Sequence, residues 1–239
     1  MIIELRVKNC YAFEDEITFS MKADMRNKKF GTNVHRENHF NVLKTAGIYG
    51  PNNAGKTCLI KCIRAVKKVL LNQKSGLMSN IFSQNSVCEL GITFLSAGRK
   101  FSYDFKYDVE KEEYIYEAFG EILKDQYNNE KEVCWLKKDS IHEVFECIDE
   151  DILPMIPVVS KNNLLYYVIN ADKFEHVNEM KRILVGFAEK IDVVNMNNIP
   201  IQHTIELMKN KNQMQEKIVV QYSAERCEDF ASDGVTVSA

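Results

Sequence analysis

Nowhere in the 239 residues does an uninterrupted apolar run approach the length needed to cross a bilayer. The opening residues, Met1-Ile2-Ile3-Glu4-Leu5-Arg6, break their apolar character with charge and so lack the hydrophobic region of a secretory signal. The seven cysteines, at 10, 58, 62, 88, 134, 147 and 227, are odd in number and include no Cys-x-x-Cys pair, which argues against a disulfide framework and against a zinc site. These absences together lead to the expectation of a reduced, cytoplasmic protein with no membrane partner. Positive charge is not in excess either: 31 lysines and arginines face 34 carboxylates. That balance excludes a protein that coats nucleic acid along its whole surface, while a local basic patch stays open. There is no internal repeat and no low-complexity tract. No Gly-x-Ser-x-Gly elbow surrounds Ser102, Ser140 or any other serine, so hydrolysis through a side-chain nucleophile is unsupported.

What is present begins with two short apolar segments, residues 2 to 8 and 17 to 21, read as strands joined by a turn through Asn9 to Asp15. Residues 22 to 40 are polar and without period, which reads as a surface loop. A single strand is expected over 42 to 49, and then Leu59, Cys62, Ile63, Val66, Val69 and Leu70 recur at helical spacing. From Cys88 the period changes to two. Phe101, Tyr103, Phe105, Tyr107 and Val109 alternate with Ser102, Asp104, Lys106 and Asp108, the pattern of a half-solvated antiparallel strand. With turns at 97 to 99 and 110 to 112, residues 88 to 146 read as a β-meander. Helices are expected over 177 to 190 and 203 to 213, and a last strand over 217 to 222. Pro154 and Pro157 fall in the stretch 149 to 163, which divides the chain into a region 1 to 148 and a region 149 to 239.

Between the expected strand and the expected helix stands Gly50-Pro51-Asn52-Asn53-Ala54-Gly55-Lys56-Thr57. The pattern Gly-x-x-x-x-Gly-Lys-Thr suits a polyphosphate because successive backbone N–H groups can curl around its oxygens while the helix that follows points its positive end at them. Glycine at 50 and 55 permits backbone angles and a close approach that a Cβ would obstruct. Lys56 is placed to meet the β- and γ-phosphates, and the Thr57 hydroxyl is placed to bind Mg²⁺. The expected ligand is therefore a nucleoside triphosphate with its Mg²⁺, and the expected nucleotide-binding residues are 50 to 57.

The strand ending Val7-Lys8-Asn9, the aromatic turn with Tyr11 and Phe13, the second strand and then Ile48-Tyr49-Gly50 through Thr57 resemble bacterial AAA-type ATPases with an ABC- or SMC-like head, relatives of the overcoming-lysogenisation-defect and abortive-infection ATPases. The resemblance implies an α/β fold: a P-loop NTPase head lobe with a mixed sheet, an antiparallel meander and a helical segment. It also implies ATP rather than GTP, ATP hydrolysis, and a homodimer or a partner subunit that completes the site. No Asn-Lys-x-Asp guanine-reading motif is evident. Two departures stand out. The first turn reads Asn9-Cys10-Tyr11 where the family carries Asn-Phe-Arg or Asn-Phe-Lys. The signature motif, acidic Walker B strand and switch histidine should follow, yet only Ser232-Asp233-Gly234 resembles the start of a signature, five residues before the end at Ala239. The expectation is an N-terminal half of such an ATPase, truncated or split. Within the chain, the best Walker B candidate is 144 to 150, ending in Asp149-Glu150, but Glu146 interrupts what should be continuous apolar character. A solvated strand end is the preferred reading.

Weaker patterns have blander explanations. His35 and His39 lie four apart in a polar stretch without the order of a metalloprotease motif. Lys61, Arg64, Lys67, Lys68 and Lys74 line one side of the expected helix, where they could meet nucleic-acid phosphates but read better as a solvated face. Cys58 and Cys62, one helical turn apart, read as small core residues rather than a redox pair. Two rivals to an ATPase share the same loop: a phosphotransferase, and a nucleotide-gated interaction module without turnover.

Overall fold

The computed structural model describes residues 1–24, 26, 31–38, 40–52, 54–125, 129–158, 160–168, 173–195, 218–222 and 235–238. The opening hairpin forms as its pattern dictates: β1 (Ile2–Lys8) pairs antiparallel with β2 (Ile17–Ser20), Leu5 opposite Phe19. A second hairpin follows where a loop is expected, with β3 (Val34–Glu37) antiparallel to β4 (Phe40–Leu43). The sequence of β3 carries a single apolar residue, so its strand character comes from pairing with β4, whose Val42 is buried, and not from periodicity. The chain then bends at Lys44, whose N–H bonds the Asn33 carbonyl, and β5 (Thr45–Ile48) departs in a new direction. The single strand expected over 42 to 49 is thus two.

After the loop comes α1 (Lys56–Leu70), whose buried stripe contains Leu59, Cys62, Ile63, Val66 and Val69. The meander is then β6 (Val87–Ser96), β7 (Arg99–Asp108), β8 (Glu113–Lys124), β9 (Glu130–Asp139) and β10 (Val144–Cys147), each antiparallel to the next. Ala97 and Gly98, at φ 50° and 74°, close the β6–β7 turn in the left-handed conformation that matches the strand twist. β1 adds to β6 on the open side, giving the order β10-β9-β8-β7-β6-β1-β2. A 3₁₀ helix (Glu150–Met155), α2 (Leu164–Val168) and α3 (Glu175–Glu189) lead to β11 (Ile191–Asn195), β12 (Ile218–Tyr222) and β13 (Val235–Ser238), which join β5 in a four-stranded sheet ordered β11-β12-β13-β5. The helix expected over 203 to 213 lies outside the described residues. Among the described residues no helix is long and apolar enough to cross a membrane.

The expectation of an α/β P-loop NTPase head with a mixed sheet is overturned. The fold is β-rich and mostly antiparallel, and the one parallel pairing among the described strands is β11 with β12. Two features of the sequence explain it. Tight turns link β6 to β10, and such links permit only antiparallel neighbours. The strand before the glycine loop is short, with Thr45 and Gly47 exposed, so it lacks the continuous buried apolar character of a central parallel strand. It runs antiparallel to β13, Ile48 opposite Val235.

The core lies between the meander's inner face and the helices. Phe94 on β6 stacks on Phe187 of α3 with centroids 3.9 Å apart, and Phe101, Phe119 and Trp135 pack around one another beside them. The alternation along β7 holds on this face, but Ser102 and Asp108 on the expected solvated side are buried too. Ser102 donates to Glu132, and Asp108 accepts from the Ser86 hydroxyl and from the turn amides of Glu110 and Lys111. On the outer face Gly91 leaves room for Arg6 to reach Asp104 at 2.6 Å; a Cβ there would lie 1.9 Å from the Asp104 carboxylate. Gly91→Ala should therefore break that ion pair and lower stability by about 1–3 kcal/mol, read as a lower denaturant midpoint at unchanged slope.

Candidate phosphate-binding loop

The loop between β5 and α1 is held by its own backbone and by the first turn of the chain. Ala54 N–H bonds the Pro51 carbonyl at 3.3 Å, and Leu59 N–H bonds the Gly55 carbonyl at 3.0 Å to open the helix. Gly55 sits at φ 88°, in the left-handed region. A Cβ at this position would be strained and would lie 2.9 Å from Cε1 of Phe13, so the aromatic turn packs directly on the loop. Asn9 and Tyr11 in that turn also take positive φ, at 51° and 52°. Their conformation is fixed by a second loop: Asn9 Nδ2 donates to the carbonyls of Asn85 and Val87, and the Asn80 side chain donates to the Tyr11 carbonyl. The Tyr11 ring lies 5.5 Å from the Lys61 ammonium.

Lys56 is buried, and its ammonium folds back over the loop to donate to the carbonyls of Gly50 at 2.6 Å and Pro51 at 2.8 Å. Thr57, one residue on, is exposed, as are Pro51, Asn52 and Ala54; Asn53 lies outside the described residues. No carboxylate occupies the first turn of α1 and no side chain caps it, so the positive end of the helix faces the loop uncompensated. Beside Lys56 opens a cleft of about 240 Å³ lined by Gly55, Leu59, Phe13, Phe19, Ile48 and Tyr49. Tyr49 is the most exposed of these, at 73%. Sequence reasoning reached the loop but not the aromatic and aliphatic wall, because Phe13 and Phe19 come to it through the pairing of β1 with β2.

Other expected positions lie elsewhere. The Walker B candidate is β10, an outer strand of the antiparallel sheet, and so cannot serve as a buried parallel strand beside the loop. The Asp149 carboxylate accepts from the Val177 N–H at 3.0 Å and meets His176 Nδ1 at 2.9 Å, tying down the start of α3. Glu146 and Ile148 are exposed, in keeping with a solvated strand end. His35 pairs with Glu37 at 3.0 Å, and His39 lies outside the described residues. Of the basic row, Lys61 rests on Tyr11, Lys67 donates to the Ile191 carbonyl and Lys74 pairs with Glu112 at 2.8 Å. Cys62 is buried, and burial followed by the neighbouring Cys58 and Cys88 pushes its thiol well up, which keeps it inert. Ser232, Asp233 and Gly234 lie outside the described residues. No protein-family model matches the chain, and no curated protein matches it.

Proposed function

We propose that residues 50 to 57 bind the polyphosphate of ATP with its Mg²⁺. The observation that carries the reading is Lys56: a buried ammonium at the start of a 15-residue helix, bonded to two carbonyls of a glycine loop that it would exchange for phosphate oxygens. The uncompensated helix end supports the same ligand charge, and Thr57 offers an exposed hydroxyl for the metal. The cleft wall of Phe13, Phe19 and Tyr49 suits an aromatic base next to those phosphates. ATP is preferred to GTP on the resemblance alone. Hydrolysis also needs a group that positions water, and among the described residues lining the cleft there is no carboxylate. Binding with slow turnover by this chain follows, with brisk hydrolysis requiring a residue supplied by a second copy or a partner subunit.

Lys56→Ala should weaken Mg²⁺-ATP binding by about 100-fold, the value of a lost charge-assisted hydrogen bond network on phosphate. Thermal shift and calorimetric titration with Mg²⁺-ATP and Mg²⁺-GTP read it. The absence of any wild-type shift at saturating nucleotide, or an equal shift in the variant, refutes the assignment.

A further inference from the structure

Two ionisable side chains on the meander's inner face are wholly out of solvent: Glu117 of β8 and Lys138 of β9, directly opposite each other in register. Glu117 is bonded away from the lysine. Its carboxyl oxygens accept from the Tyr103 hydroxyl at 2.7 Å and from the Leu164 N–H at 2.9 and 3.1 Å. The Lys138 ammonium has no hydrogen-bond partner among the described residues. Leu164 opens α2, in a strap over this part of the sheet made of residues 150–158 and 160–168. Its Ile152, Ile156, Leu164 and Leu165 are buried, its Ser160 pairs with Tyr114, and its Asn163 side chain donates to the Val69 carbonyl at the far end of α1. A dehydrated carboxylate beside an unpaired amine is costly, and the cost falls when water reaches them or when the acid takes up a proton.

We propose that Glu117 is a proton-controlled latch for this strap, holding Leu164 against the sheet firmly when neutral and more loosely when ionised. In the neutral acid Oε1, as the carbonyl oxygen, still accepts from both the Tyr103 hydroxyl and the Leu164 N–H, and no negative charge is buried. On ionisation the proton passes to solvent, and opening the strap lets water hydrate the carboxylate. The groups facing Glu117 are Tyr103 on β7, Tyr114 on its own strand, Lys138 on β9 and the Leu164 amide of the strap. Burial pushes Glu117 up to about 7 from an ordinary 4.5, against the opposing pull of Tyr103, Leu164 and Lys138. A raised acid favours the closed form fully below 4.5, and that contribution is lost as pH rises through about 7. Lys138, pushed down by burial, acts in the opposite sense and is removed in one variant for that reason.

Hydrogen exchange of residues 160 to 168 at pH 5.5 and 7.5, corrected for intrinsic rates and referenced to the α1 amides, tests this. Protection of the strap should fall by about tenfold or more over that interval in the wild type and in Lys138→Met, and should be independent of pH in Glu117→Gln. Equal protection at the two pH values in both wild type and Lys138→Met, or a pH dependence that survives in Glu117→Gln, overturns the latch. Tyr103→Phe gives a second reading should the glutamine variant fail to fold. It removes a donor that favours the charged acid, so the midpoint should move to higher pH, and an unmoved midpoint is equally fatal.

Discussion

Phe101→Ala should destabilise the protein by about 3–5 kcal/mol, enough to remove a large part of the stability of an ordinary domain. The ring is fully buried near the start of β7, stacked at 5.6 Å on Phe119, edge-on to Trp135 at 6.1 Å and tilted at 5.8 Å to Phe94, which in turn stacks on Phe187 of α3. Its outer edge is covered by Arg99, whose guanidinium carbon lies 5.1 Å from the ring centroid and is fixed by Glu121 and Glu179. Rings from three neighbouring strands close on this one, with the ring of α3 behind Phe94, and strands paired on both sides cannot collapse far into the space it leaves, so the cavity penalty adds to the lost transfer free energy. Urea denaturation followed through Trp135, the single tryptophan of the chain, gives the measurement. A loss below about 1 kcal/mol would mean that the two layers separate without disturbing the rest, contrary to a shared core.

The meander was legible because β7 alternates strictly and its turns are short; period two and tight links leave antiparallel pairing as the only solution. α1 and α3 were legible for the corresponding reason at period 3.6. The α/β architecture was read from the company that a glycine loop usually keeps, and that inference failed at β5. Four residues with Gly47 among them cannot supply a buried central strand, and the weakness was visible in Thr45-Ala46-Gly47-Ile48 had the stretch not been fused with β4. β3 was not legible at all, since Val34-His35-Arg36-Glu37 becomes a strand only through its partner. At the site, the loop itself could be read, residue by residue, because its chemistry is local. The wall of the cleft could not, because Phe13 and Phe19 reach the loop only through tertiary packing, and the Asn9–Asn80 clamp could not, because it joins residues some 70 positions apart across the first turn and the loop after α1. Glu117 and Lys138 were hidden by their type: charged residues in an alternating strand are assigned to solvent unless a register places them inside.

Glu117→Leu should lower stability by about 3–5 kcal/mol at pH 7.5, although leucine is the more apolar side chain and fits the surrounding Phe105, Phe119 and Leu136 in chemistry. The substitution orphans the Leu164 N–H and the Tyr103 hydroxyl, and it removes the one carboxylate directly opposite Lys138. Each unsatisfied buried group costs about 1–3 kcal/mol, more than the gain from burying a leucine. Lys138→Met, by contrast, exchanges an unpartnered buried amine for an apolar chain of similar length and should be neutral or stabilising by about 1–3 kcal/mol. The pair then predicts non-additivity. In Glu117→Leu the lysine has lost its counter-charge, so adding Lys138→Met should recover about 1–3 kcal/mol beyond the sum of the two single changes. Urea midpoints of the wild type, both single variants and the double variant complete the cycle. Simple additivity would place the Lys138 ammonium in contact with water rather than in the field of Glu117, and a Lys138→Met variant that lost several kcal/mol would mean that the amine is bonded after all.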